Sequence, residues 1–263
     1  MGMRMTHAPV YFTVAQVRFN PVLNLEGYLA TIQDRMRASH FPDFRREVIQ
    51  QLIVPFGSGD TAQVPTPSFL PQARCIFGNI DNTSSLVLEN NALALQTTVY
   101  DTFESFSKIL FDGLRIVHEA LRLDFTERVG LRYLDAVLPG TKESLSNYLI
   151  PEVLGLTEKI RGKLSHSVSE CVAVNPVGQL ISRVIIQDGH VGLPAELATL
   201  APRLDPRFTQ PDGRHAIIDT DAFYEQRESF NLDKLESTLH ALHGEIDKSF
   251  RATVTPHALK VWE

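Results

Sequence analysis

The stretch "ERVGLRYLDAVLP", Glu127–Pro139, decides how the chain is read. Val129, Leu131, Tyr133, Leu134, Ala136 and Val137 give it the apolar density of a buried strand. Yet it sets Arg132 and Asp135 among them. Successive side chains of a strand alternate between its two faces. Leu131, Tyr133, Asp135 and Val137 therefore share one face, and Gly130, Arg132, Leu134 and Ala136 share the other. The two charges point in opposite directions unless a bulge intervenes, so they read as scaffold and not as one catalytic pair. Each needs its own partner, because an unpaired buried charge costs several kcal/mol.

Working outward, "PVYFTVAQVRFNP" (Pro9–Pro21) alternates with Tyr11, Thr13, Ala15, Val17 and Phe19 on one side, which predicts a strand. Asn24 is placed to cap a helix carrying Leu25, Tyr28, Leu29, Ile32 and Met36. A second amphipathic stretch covers Phe41 to Val54, and Pro55–Pro71 reads as a long irregular loop. Arg74–Tyr100 reads as strands reversing at Asn90-Asn91. Asp101 and Glu104 form a capping-box pattern ahead of a helix with Phe103, Phe106, Ile109, Leu110, Leu114 and Val117 on its apolar stripe.

Beyond Pro139-Gly140 the reading is a short helix from Leu145 to Leu154, then strands with turns at Asn175–Gly178 and Asp188–Gly189. Pro194–Gly213 is expected to be surface loop. "HAIIDTDAFYEQ" alternates as a strand, and Leu232, Leu235, Leu239, Leu242, Ile246 and Phe250 mark the clearest helix. The expected class is α+β, mainly antiparallel sheet with helices on one face. "RFNPVLNLEGYL" and "SFNLDKLESTL" both run from a strand through Phe-Asn into a helix, consistent with two pseudo-repeated α+β units spanning 1–140 and 141–263.

The 263 residues carry a net charge of −6, which disfavours non-specific binding to nucleic acid or anionic membrane. The two cysteines lie far apart, as in a reduced protein. No apolar run approaches membrane-spanning length, and the N-terminus lacks a signal-peptide core, so a cytoplasmic location is expected. There is no phosphate-binding GxxxxGK[ST], no GxSxG elbow and no complete HExxH, and no cofactor is implied.

Three constellations remain. His240 and His243 share a helix face and form a candidate metal pair, with His215, Asp219 or Asp221 as the third ligand. Asp219 and Asp221 share a strand face and can hold a divalent metal or act as acid and base. Arg18 and Arg132 can share a sheet face and bind an anion. Against each stands a plain structural reading: a boundary histidine pair, a half-solvated strand face, and ion-paired arginines.

In "VAQVRFNP", "VGLRYLDAV" and "LHALHGEIDKSFRATVT" the chain resembles a sporadically distributed, functionally uncharacterised bacterial family of similar length. The resemblance implies no cofactor and no catalytic residue; the patchy distribution implies a defence or toxin–antitoxin setting. The leading expectation is a non-enzymatic binding or assembly protein that recognises a protein partner, a copy of itself or a small anionic ligand. The alternatives are a metal-dependent hydrolase or nuclease-like enzyme using Asp219, Asp221, His240 and His243, and an RNA-binding protein built from paired ferredoxin-like units.

Overall fold

The alternation at Pro9–Pro21 and the apolar stretch at Glu127–Pro139 become β1 (Val10–Phe19) and β6 (Phe125–Val137), which pair antiparallel with Thr13 opposite Tyr133 and Val14 opposite Arg132. A computed structural model of the chain describes residues 5–53, 68–157, 159–160, 162–198 and 201–263. Among these residues, β1 and β6 join a single nine-stranded sheet ordered β2-β3-β4-β5-β1-β6-β9-β8-β7, with every neighbouring pair antiparallel. The other strands are β2 (Asp43–Ile53), β3 (Ser68–Gly78), β4 (Ser84–Glu89), β5 (Ala92–Thr97), β7 (His166–Asn175), β8 (Gly178–Gly189) and β9 (Gly213–Ser229). The sheet therefore runs unbroken across residue 140.

Three longer helices, α1 (Leu29–Ala38), α2 (Phe103–Leu121) and α7 (Leu232–Thr253), bury their apolar stripes on Val17, Phe19, Leu93, Leu95, Leu131 and Tyr133. A second cluster joins Val137, Val184, Ile186 and Ile218 to α3 (Leu145–Tyr148), α4 (Pro151–Leu154) and α8 (Pro256–Trp262). Leu134, Ala136 and Ile217 face the other way, where Val191 and Phe208 cover them. That cover contains the single-turn helices α5 (Ala195–Ala198) and α6 (Pro206–Thr209). Helical segments thus occur on both sides of the sheet, and the segment expected to be surface loop is packed cover, because Leu134 and Ala136 are apolar and must be shielded from water.

A polar row crosses the helix side at one register. Thr97, Thr13, Tyr133, Thr220 and Ser182 are successive neighbours on β5, β1, β6, β9 and β8. On β9 Thr220 separates Ala222 of the first cluster from Ile218 of the second. The hydroxyls of Thr13 and Thr220 are buried with no partner among the described residues.

Several local expectations shift. The cap of α2 is Thr102, accepting from the Ser105 N–H, and not Asp101. A 3-10 turn at Glu26–Tyr28 precedes α1 without a side-chain cap from Asn24. Phe41–Val54 supplies strand β2 rather than a helix. Of the expected loop Pro55–Pro71, residues 55–67 lie outside the described residues and 68–71 belong to β3. The helix expected from Leu145 to Leu154 breaks in two, with Leu149 bridging Val254 and Pro151 opening the second turn. The two Phe-Asn segments occupy different places, one leaving β1 and the other leaving β9. No helix among the described residues is long and apolar enough to cross a membrane.

Candidate functional site

On its apolar-stripe side β6 presents Tyr133 and, one pleat further, Asp135. Asp135 is only 7% exposed. Its register neighbours on β1 and β9 are Val10 and Ile218, neither of which offers a donor side chain. Among the described residues its carboxylate makes no hydrogen bond or ion pair. Burial alone pushes its pKa up to about 7, since nothing compensates the lost hydration of the charged form.

Asp135 lies at the wall of a cleft of about 520 Å³, within the range of small-molecule sites. The start of α2 contributes Tyr100 to Glu104, and α7 contributes His243, Ile246, Asp247, Phe250 and Arg251. Met5, Thr6, Ala8, Pro9 and Val10 form another side. They are held by backbone bonds from Thr6 to Glu263 (3.2 Å), from His7 to Trp262 (2.9 Å) and from Ala136 to Pro9 (2.9 Å).

Aromatic rings organise the interior. The Tyr133 hydroxyl donates to the Tyr100 hydroxyl at 3.0 Å and lies 3.3 Å from Nδ1 of His243. Having given its proton to Tyr100, the Tyr133 oxygen accepts from His243, which selects the Nδ1–H tautomer and leaves the Tyr100 proton at the end of the chain. Burial raises the pKa of both tyrosines and lowers that of His243, so all three stay neutral near pH 7. Phe103 stacks on His243 at 4.0 Å with the planes 2° apart and meets His240 edge-on at 4.7 Å. At the rim Arg251 is held by Asp247 at 2.9 Å, and Arg207 donates to the Ala8 carbonyl at 3.0 Å.

The proposed metal set does not assemble. Asp219 and Asp221 do share a strand face, but it is the face of Arg132, with the sheet between them and α7. Asp219 is 1% exposed and takes Nε and Nη2 of Arg132 at 2.7 and 2.8 Å, with Arg183 at 3.4 Å. Its lone pairs are committed to guanidinium donors. His240 and His243 lie against Phe103 on the other side, and His215 bonds the Gly213 carbonyl and Gln187. No three potential metal-ligating side chains cluster among the described residues.

The anion pair also fails. Arg18 is exposed and lies opposite Arg128, whereas Arg132 lies opposite Val14, four residues away and roughly 13 Å along the strand. Arg132 is further engaged by Glu196 at 3.1 Å. Burial opposes its charge, but Asp219 holds it more firmly protonated than usual.

Reasoning from sequence alone placed Arg132 and Asp135 on opposite faces, as the structure does, but took the Asp135 side for scaffold. The available signal was a carboxylate on the same strand face as Tyr133 with only Leu134 and Ala136 beside it. No protein-family model matches the chain, and no curated protein matches it.

Proposed function

We propose that the protein is a binding protein without chemistry of its own, and that it takes a small ligand into the cleft walled by Tyr133 and Asp135. One observation carries the reading: a nearly buried carboxyl group, unpartnered among the described residues, borders a space large enough for a ligand. A carboxyl whose only role was structural would be expected to have hydrogen-bond donors. The surrounding Tyr100, Phe103, Tyr133 and Phe250 provide rigid apolar walls at small entropic cost. A thermal-shift screen of compounds of mixed charge, followed by NMR of tyrosine-labelled protein, tests this. Stabilising compounds should move the Tyr100 and Tyr133 resonances; stabilisers that leave both in place would place the site elsewhere.

A second reading concerns self-association and rests on β7. This edge strand is exposed on both faces, with Val168, Val172 and Val174 at 54, 52 and 80%. Edge strands are ordinarily guarded by charge. Here Glu170 is tied to Arg183, and Val168 and Val174 are symmetric about Cys171, so β7 of a second copy can align antiparallel without charge repulsion. Sedimentation should show a dimer that Val172→Lys disrupts; a monomer at high concentration would end this reading. The strand order also supports two repeated units, since β1 and β6 each lie beside the last strand of their own meander.

A further inference from the structure

We propose that the ligand of the cleft is a small organic ammonium with an apolar or aromatic body, its charged nitrogen held by Asp135. This rests on the small-ligand reading above and names the class.

Three observations point to a cation. The first is the environment of Asp135: Val10 and Ile218 flank it, and among the described residues no guanidinium or ammonium pairs with it. An ammonium nitrogen would supply the missing donors and charge, which a neutral or anionic ligand cannot. The second is the wall. Tyr100, Phe103, Tyr133 and Phe250 present ring surfaces, and aromatic faces attract cations as well as apolar groups. The third is the charge of the lining. Asp101, Glu104, Asp135 and Asp247 give four carboxylates against the two guanidiniums of Arg207 and Arg251. Arg251 is occupied by Asp247 and Arg207 by the Ala8 carbonyl and Asp205, so neither is poised to receive an anion.

Binding must then depend on pH. The charged or titratable groups around Asp135 are Tyr133 on its own strand, Tyr11 on β1, Tyr100, Asp101 and Glu104 before and within α2, His243, Asp247 and Arg251 on α7, and Arg207 on α6. The tyrosines, their pKa values raised by burial, stay neutral throughout the working range. Burial lowers the pKa of His243, and any proton it takes up toward pH 5.5 disfavours a cation in the same sense as protonation of Asp135. The Asp135→Asn variant isolates the part that belongs to Asp135. Asp135 is ionised to a few per cent at pH 5.5 and almost fully at pH 8, given a carboxyl near 7, so affinity should rise about 30-fold across that interval.

The test uses the full chain and three probes of one shape: phenethylamine, phenethyl alcohol and 3-phenylpropionate. Calorimetry at pH 8 should show the amine binding best, with affinity falling about 30-fold at pH 5.5 and at least tenfold in Asp135→Asn. Asparagine keeps the shape of the neutral acid, so this variant folds, and the wild-type pH profile gives a second readout that needs no variant. Tighter binding of the carboxylate or the alcohol, or amine binding indifferent to pH and to Asp135→Asn, would overturn the amine assignment while leaving a ligand cleft in place. Failure of all three probes, with no tyrosine resonance moved by any compound of the wider screen, would remove both readings.

Discussion

Replacing Asp135 by Asn tests the central geometric claim before any ligand is found. The carboxyl titrates near 3.8 when solvated and near 7 in the fold, a rise of about three pH units at 1.36 kcal/mol each. Well below pH 3.8 it is protonated in both states and costs nothing. Between about 4 and 7 the folded state holds a proton that the unfolded chain has lost, so stability falls as pH rises. Above 7 both states are ionised and the folded protein carries the whole penalty, about 4 kcal/mol. His243 contributes the opposite slope, since its lowered pKa costs stability as pH falls below its usual range. Subtracting wild type from Asp135→Asn removes that contribution. Urea unfolding of both proteins from pH 4.5 to 8 should give curves that converge at low pH, with the variant becoming the more stable by about 4 kcal/mol at pH 8. A difference that stays constant with pH would refute the reasoning, because it would mean that Asp135 is solvated or has a partner.

Arg132→Ala should destabilise the fold by about 3–5 kcal/mol, because it strands Asp219 at 1% exposure; the double change Arg132→Met with Asp219→Leu should recover most of that loss in denaturant unfolding. Gly178→Ala should lower stability by roughly 2–3 kcal/mol, since φ is +153° and a Cβ would fall 2.3 Å from the Phe223 carbonyl oxygen; an unchanged midpoint would contradict the close approach of β8 to β9. Of the two thiols, Cys171 is exposed while Cys75 is buried and its pKa is raised by burial, so a thiol reagent should titrate one group rapidly in the native protein and the second only on unfolding.

Local pattern carried much of the architecture. β6 was legible because its apolar residues are dense, and α7 because Leu235, Leu239, Leu242 and Ile246 repeat at helical spacing, all buried as that spacing requires. The Asn90-Asn91 reversal between β4 and β5 follows from turn chemistry that acts within a few residues. Where sequence reading went astray, the deciding contact was distant. The strand β2 has helical-looking spacing but is drawn into the sheet by its pairing with β3, and the Pro194–Gly213 segment is loop-like in composition but its described residues Leu197, Leu204 and Phe208 pack with Leu134 and Ala136. For the candidate site, the histidines and aspartates were visible as residue types, while their separation by the sheet was not.

By itself, the sequence determined that Arg132 and Asp135 project from opposite faces of one strand, because the two-residue period of extended backbone is a local property. Only the tertiary structure decided what each meets there. Register brings Asp219 beneath the guanidinium of Arg132 from a strand 87 residues away, whereas the packing of α2 and α7 leaves the carboxyl of Asp135 without a donor among the described residues and open to a cleft. Partnership between charges depends on which distant segments come together, and that is set by the assembly of the sheet and its helices rather than by the residues on either side.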